Sequence, residues 1–389
     1  MRKIKAGVIG TGFIGPAHVE ALRRLGYVDV VAIAGSSPEQ ARKKAEELNI
    51  PEYYGSYKDM LADDDIQVVH NCTPNYLHYQ VNRDVILAGK HVVSEKPLAM
   101  NRSESADLVA LARKHRVVHA VTFNYRHFPM VQQMKAMMNA GELGKVHLVH
   151  GGYLQDWLLY DTDYNWRIDP KSGGESRAVA DIGSHWCDLA QHVVGKRIVS
   201  VFADLATVIP VRKKPTGTGT ATFGSGNLPA ETEEIEVTTE DFATVLLRFE
   251  GRARGIFTVS QVSAGRKNKL FIEVNGSDQS AAWNQEEPER LWIGSRNEAN
   301  RVMMADPALL SEYAKAFHHY PGGHNEGWPD ALKNTMNSIY LYIREGKDPS
   351  VEKPPFATFD DGHFSLCIID SILQSSRLGT WVDVRYDDR

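Results

Sequence analysis

Three places in the chain gather side chains that can do chemistry. Lys96 stands in Glu95-Lys96-Pro97, directly after the apolar run His91 to Ser94. An ammonium there can hydrogen-bond a substrate hydroxyl and relay its proton. Asp181, His185 and Asp188 follow one another at i, i+4 and i+7 in a segment with helical patterning, so an α-helix presents them on one face. Imidazole titrates near neutral pH, which suits His185 to take a hydroxyl proton as general base while Asp181 orients or charges it. The same three residues are a competing metal set, although no further ligand pair at typical spacing accompanies them and His318-His319 is expected at the surface. Taken alone, Asp181 is equally a helix N-terminal acid and His185 a core histidine.

The third place is Gly10-Thr11-Gly12-Phe13-Ile14-Gly15, a G-x-G-x-x-G between the apolar run Ile4 to Ile9 and a helix expected near Pro16. In that context Gly10 permits the tight turn, Gly12 lets the backbone approach a pyrophosphate, and Gly15 lets helix and strand pack closely. The ribose-reading position falls at Ala34-Gly35-Ser36-Ser37, which holds no carboxylate, while Arg42 and Lys43 follow a turn later. Ser36 and Ser37 can hydrogen-bond a ribose, so NAD and NADP both stay open, with a slight preference for NAD.

The elements that must position these residues follow from periodicity. Up to residue 124, short apolar runs alternate with amphipathic segments, the pattern of a Rossmann-type, doubly wound parallel sheet and an α/β class. Ser37 before Pro38, and Asn101 or Ser103 before a turn containing Glu104, mark helix starts. Residues 125–389 give a helix and then longer strands, including Val146 to Trp157, as expected of an α+β domain with a large, mainly antiparallel open sheet. Asn275-Gly276 is a candidate hairpin turn. Pro210 to Thr239, rich in Gly, Thr and Glu, is expected to be a mobile surface excursion. Along the strand, Tyr153, Gln155 and Trp157 share one face by the period of two. An aromatic, amide, aromatic row suits a sugar; an ordinary sheet face at a core or subunit interface is the competing reading.

The glycine loop, Thr73-Pro74-Asn75 with His78, Glu95-Lys96-Pro97 and Asp181-x-x-x-His185 together resemble the glucose-fructose oxidoreductase / inositol dehydrogenase (Gfo/Idh/MocA) family over nearly the whole chain. The resemblance implies that Lys96, Asp181 and His185 are catalytic and that the Lys96-Pro97 bond is cis. It implies cofactor contacts from Gly10, Thr11, Gly12, Phe13, Ile14, Gly15, Ser36, Ser37, Thr73, Pro74, Asn75, His78, Glu95, Lys96, Asn124, Trp166 and Arg167. It also implies a homo-oligomer, a dimer or tetramer, formed through the open sheet. The run Tyr153 to Trp157, Trp166-Arg167 and Trp381-Val382-Asp383-Val384 resemble the levoglucosan dehydrogenase type within the family. That likeness implies oxidation of the C3 hydroxyl of an anhydrosugar. Asn124, Tyr125, Tyr153, Gln155, Trp157 and His324 would line the sugar pocket beside Lys96, Asp181 and His185. Another pyranoside, a glycoside or a cyclitol stays open as substrate. So does NAD-dependent glycoside cleavage by transient C3 oxidation and elimination. A non-catalytic sensor role is disfavoured by the presence of all three reactive side chains.

Bulk properties agree with a small-molecule enzyme. With 389 residues there is chain for two or three domains, and 44 basic against 49 acidic residues give a net charge of −5, which argues against a nucleic-acid partner. The 3 cysteines have no zinc or disulfide spacing, and no apolar run is long enough to span a membrane. A cytoplasmic location is expected, without membrane partners.

Overall fold

The computed structural model describes residues 3–216 and 231–386. The chain divides into two compact units, one formed by residues up to 124 with 328–366 and the other by 125–327 with the stretch from 367.

In the first unit, β1 (Ile4–Ile9), β2 (Val28–Ala34), β3 (Glu52–Tyr54), β4 (Val68–Asn71), β5 (His91–Ser94) and β6 (His119–Val121) form one sheet in the order β3-β2-β1-β4-β5-β6. Every pairing in it is parallel. The crossovers are α1 (Ile14–Arg23), α2 (Pro38–Leu48), α3 (Tyr57–Leu61), α4 (Asn75–Leu87) and α5 (Arg102–His115). The order reverses between β1 and β4, so the loops after those strands flank the crevice where such sheets take ligands. Ser37 caps α2 by accepting from the Gln40 N–H, with Pro38 at the first helical position, and Asn101 caps α5 by accepting from Glu104. The short β3 is absent from the sequence expectation, because three residues of Glu-Tyr-Tyr carry no alternation.

Reading the second domain as the continuous stretch 125–389 is also at odds with the observed units. The helix Trp328–Arg344 returns to the first, where Leu332, Met336, Ile339 and Tyr340 join the core made by Ile4, Val8, Val19 and Leu22. Its strong amphipathicity is visible in the sequence, but the surface it covers is not.

In the second unit, after α6 (Pro129–Asn139), β7 (Val146–Leu154) sits inside a nine-stranded sheet. Its neighbours are β12 (Arg254–Ser260), the one parallel pairing, and β13 (Lys269–Gly276). The other pairings are antiparallel, among them β8 (Ile198–Ala206) with β11 (Phe242–Phe249) and β13 with β14 (Gln279–Asn284). The hairpin turn lies two residues later than expected: Asn275 and Gly276 still belong to β13, and Ser277-Asp278 make the turn.

The expected mobile excursion is partly ordered structure. β9 (Val211–Pro215) and β10 (Thr232–Glu236) pair as an antiparallel ribbon, while residues 217–230 of that expectation lie outside the described residues. The ribbon is anchored by Arg212, fully buried, which donates to the carbonyls of Leu158, Tyr160 and Asp163 and to Asp241. Among the described residues no helix is long and apolar enough to cross a membrane.

Candidate active site

In the first unit the glycine loop follows β1 directly. Gly10 has φ +114°, and a Cβ there would lie 2.3 Å from the Cys72 carbonyl oxygen, so only glycine fits beneath β4. A Cβ on Gly15 would lie 2.2 Å from the Gly10 carbonyl oxygen. Gly12 differs: no atom lies within 4 Å of where its Cβ would stand. That open cradle sits at the N-terminus of α1, which has no side-chain cap among the described residues. An α-helix start with spare N–H groups is a site for phosphate oxygens, so these residues fit the pyrophosphate of a dinucleotide.

At the end of β2, Ser36 and Ser37 turn toward their own helix. The Ser36 hydroxyl donates to Gln40 Oε1 at 2.8 Å, and Ser37 Oγ accepts from the Gln40 backbone. Arg42 pairs with Glu46 along α2. The position therefore carries no carboxylate facing a ribose.

The loops after β4 and β5 are tied to each other. His78 lies with Nδ1 2.6 Å from the Pro97 carbonyl and Nε2 2.8 Å from the Thr73 carbonyl, bridging Thr73-Pro74-Asn75 to Glu95-Lys96-Pro97. Burial lowers the pKa of this ring, against the opposing pull of the two carbonyls. Thr73 is held by Asn71 Oδ1, and Asn71 by Asn82. The Lys96-Pro97 bond is cis. Behind it runs a buried chain that the sequence does not reveal: Glu95 Oε1 to His18 Nε2 at 3.0 Å, His18 Nδ1 to His70 Nδ1 at 2.9 Å, and His70 Nε2 to Tyr340 Oη at 2.7 Å. Burial raises the pKa of Glu95, but the bond to His18 and the nearby Lys96 outweigh it and keep the carboxylate ionised.

In the second unit Asp181 and His185 do not share the regular α-helix expected. Val179–Gly183 is a π-helical turn, and α8, counting the short α7 (Pro170–Gly173) before it, begins at Ser184 and ends at Val194. Such bulges turn side chains out of the α register and are frequent at functional sites. The turn is capped from across the unit: Glu240 accepts from Ser176 Oγ at 2.7 Å and from the backbone N–H groups of Arg177 and Val179 at 2.9 Å. Burial pushes the Glu240 carboxyl above its usual range despite those bonds.

Asp181 Oδ2 accepts from Gln261 Nε2 at 3.0 Å, and Arg167 Nε lies 3.5 Å from Oδ1. Arg167, expected near the cofactor, thus faces the candidate catalytic carboxylate, with its guanidinium 4.4 Å over the Trp166 ring. Asp188, the third residue of the expected row, forms a buried bidentate ion pair with Arg126. Among the described residues no group of His, Cys, Asp and Glu is placed to hold a metal.

The expected aromatic row is assembled, although β7 ends at Leu154 and the row continues into the following loop. Tyr125 Oη lies 2.6 Å from Tyr153 Oη, Trp157 Nε1 donates to Gln155 Oε1 at 2.9 Å, and the His185 ring meets Tyr125 edge-on with centroids 4.9 Å apart. Burial pushes the Tyr153 phenol well up, reinforced by Tyr125. His324 lies in an exposed loop with Nδ1 3.1 Å from the Pro321 carbonyl. His318 is buried, not at the surface, between Glu289 and Glu326.

The first unit thus gathers the glycine loop, Thr73 to His78 and Glu95 to Pro97. The second gathers Tyr125, Tyr153, Gln155, Trp157 and His185, and holds Asp181 between Gln261 and Arg167. Asn124 closes the first unit's opening stretch as a buried residue. Glu240, Gln261 and Asn268, whose Oδ1 accepts from Tyr153 Oη and Gln155 Nε2, are additions from the structure. They are single polar residues in strands or loops, and no motif marks them.

Comparison with known proteins gives matches along the chain. Residues 4–123 match the oxidoreductase family with an NAD-binding Rossmann fold, and residues 131–282 match the GFO/IDH/MocA C-terminal domain. Levoglucosan dehydrogenase from Pseudarthrobacter phenanthrenivorans is 30% identical over 402 aligned positions, covering 99% of each chain. A solved structure of levoglucosan dehydrogenase with NADH and L-sorbose superposes with a TM-score of 0.88 at 28% identity, covering 99% of this chain and 100% of the other. An inositol dehydrogenase homolog with NAD+ from Azotobacter vinelandii gives 0.85 at 25% identity, covering 98% and 97%.

Proposed function

The chain belongs to the Gfo/Idh/MocA family of NAD(P)-binding oxidoreductases, and from that premise we propose that it moves a hydride between the cofactor and a hydroxyl-bearing carbon of a sugar or cyclitol. The observation that carries this reading is the cluster inside the second unit, where Tyr125 and Tyr153 meet the His185 ring and Tyr153 is linked through Asn268 to Gln155 and Trp157. Aromatic faces suit the C–H faces of a pyranose, and amides and phenols take its hydroxyls in fixed directions. The names of the relatives support an anhydrosugar or a cyclitol; another pyranose or a glycoside, and reaction at C3, belong to the same proposal.

When bound, the nicotinamide ring supplies the hydride acceptor or donor. The glycine loop and the α1 N-terminus would hold the pyrophosphate, and Thr73 to His78 with Glu95 and Asn124 would line the rest of the cofactor. Either NAD or NADP fits this reading, with NAD slightly preferred. His185 accepts the hydroxyl proton as general base, and a positive imidazolium is stabilised by Asp181, which Gln261 and Arg167 keep in place. Lys96 hydrogen-bonds the reacting oxygen and relays its proton. Calorimetry with NAD and NADP, then a sugar panel followed by absorbance of the reduced nicotinamide, tests the reading. Tight cofactor binding, reduction with at least one sugar, and loss of more than about a hundredfold in Lys96→Ala are expected. Binding of neither cofactor contradicts it.

A homo-oligomer through the large sheet belongs to the same proposal. Leu246 and Ile256 are register partners on β11 and β12, and both are exposed, as is Leu148 on β7.

A further inference from the structure

The loop ahead of β13 contributes Asn268, whose side chain closes a ring of hydrogen bonds with two tyrosines. Tyr153 Oη donates to Asn268 Oδ1 at 2.5 Å, Asn268 Nδ2 donates to Tyr125 Oη at 3.1 Å, and the two phenol oxygens lie 2.6 Å apart. The amide fixes the direction of the whole ring, because its oxygen only accepts and its nitrogen only donates. The Tyr153 proton goes to Asn268, so the proton between the phenols comes from Tyr125. Both phenolic protons are therefore held inside the ring. Asn268 Oδ1 also accepts from Gln155 Nε2 at 3.1 Å, which links the ring through Gln155 to Trp157.

The hydrogen-bonding character of this wall follows. Toward a ligand, the phenol oxygens retain lone pairs and act as acceptors, and the remaining donors are the second N–H groups of the Asn268 and Gln155 amides. A hydroxyl placed against the tyrosines must donate. Without Asn268, one phenolic proton stays between the two oxygens and the other becomes free to rotate, so the pair takes donors and acceptors alike.

Resting on the sugar-dehydrogenase reading above, we propose that Asn268 is a specificity-determining residue, which commits Tyr125 and Tyr153 to accepting hydrogen bonds and so selects polyols that present a donor hydroxyl at this wall. Sites built to pair with a substrate hydroxyl discriminate strongly against analogues that lack it, because a buried polar group is left unmatched. A fluorine or methoxy group in place of that hydroxyl accepts but does not donate.

The test compares levoglucosan with its monodeoxyfluoro analogues as substrates of the full-length wild type and of Asn268→Ala and Asn268→Leu, with NAD binding and thermal melting measured alongside. In the wild type, fluorine at one ring position away from the oxidised carbon lowers kcat/KM at least about tenfold. In Asn268→Ala that preference falls below about threefold, KM for levoglucosan rises more than kcat falls, and NAD affinity is unchanged. Asn268→Leu, which takes no phenolic proton, also loses the preference, so the proposal does not depend on one variant folding. Wild-type turnover with the hydroxyl preference intact in both folded variants overturns the role of Asn268 alone. A wild type that binds NAD and reduces it with no sugar overturns the functional reading and this role with it.

Discussion

His119 shows how one buried ring ties the first unit to pH. Its Nδ1 accepts from the Phe359 backbone at 3.1 Å, and burial lowers its pKa from 6.5 to about 4, with smaller opposing effects from Asp360 and Asp361 and a further lowering by Arg113. The unfolded chain takes up a proton near pH 6.5 that the folded one refuses until about pH 4. Stability is therefore complete above that window and falls as pH drops through it, by about 1.4 kcal/mol per pH unit and about 3 kcal/mol in all. Denaturant unfolding at pH 7 and pH 5 should show the wild type losing about 2 kcal/mol more than His119→Gln. Equal losses contradict the assignment. Residues of this kind are hard to see in a sequence, since a lone histidine acquires its meaning from what covers it. The same holds for Gln261 and Glu240, which steady Asp181 and its π turn from strands and loops far along the chain. Lys96, Asp181 and His185 stand out because each sits in a short motif.

Secondary-structure elements were legible where local physics decides them. Ser37-Pro38 starts its helix as read from the sequence, and of the two candidates Asn101 and Ser103 it is Asn101 that caps α5, because a cap is made within four residues. The π turn at Val179–Gly183 was not legible, since the extra residue is held by Glu240 rather than by its own sequence. The β9-β10 ribbon was missed because its anchor, Arg212, is a charged residue buried against Asp241 and Arg177, contrary to the usual rule for arginine. The glycine loop permits a separation of folding from binding. Gly10→Ala, with its positive φ and its 2.3 Å approach to a backbone oxygen, should cost more than about 2 kcal/mol. Gly12→Ala meets no protein atom and should change stability by less than about 0.5 kcal/mol, while NAD affinity falls at least about tenfold. Melting curves and calorimetry on the two variants check this, and a Gly12→Ala variant with wild-type affinity counts against the cradle.

For the molecule as a whole, the alternation of strands and helices conveys a doubly wound sheet followed by a large antiparallel one, and both are present. The return of residues 328–366 to the first unit was beyond the sequence, because an amphipathic helix declares an apolar face without naming its partner. The exposed pair Leu246 and Ile256 lies on the sheet proposed to carry the homo-oligomer. Light scattering should give a multiple of the 43.4 kDa chain mass for the wild type and a shift toward the single-chain mass for the double variant Leu246→Glu and Ile256→Lys. A monomeric wild type contradicts the oligomer. The central claim is hydride transfer from a sugar carbon, and its most direct test is isotopic. With NAD and levoglucosan deuterated at C3, mass spectrometry should find one deuterium in the reduced cofactor formed, in step with the keto-sugar, and less than about a hundredth of either product in the same time with Lys96→Ala. Bound NAD that acquires no deuterium from that sugar or from deuterated pyranosides and cyclitols would contradict the account.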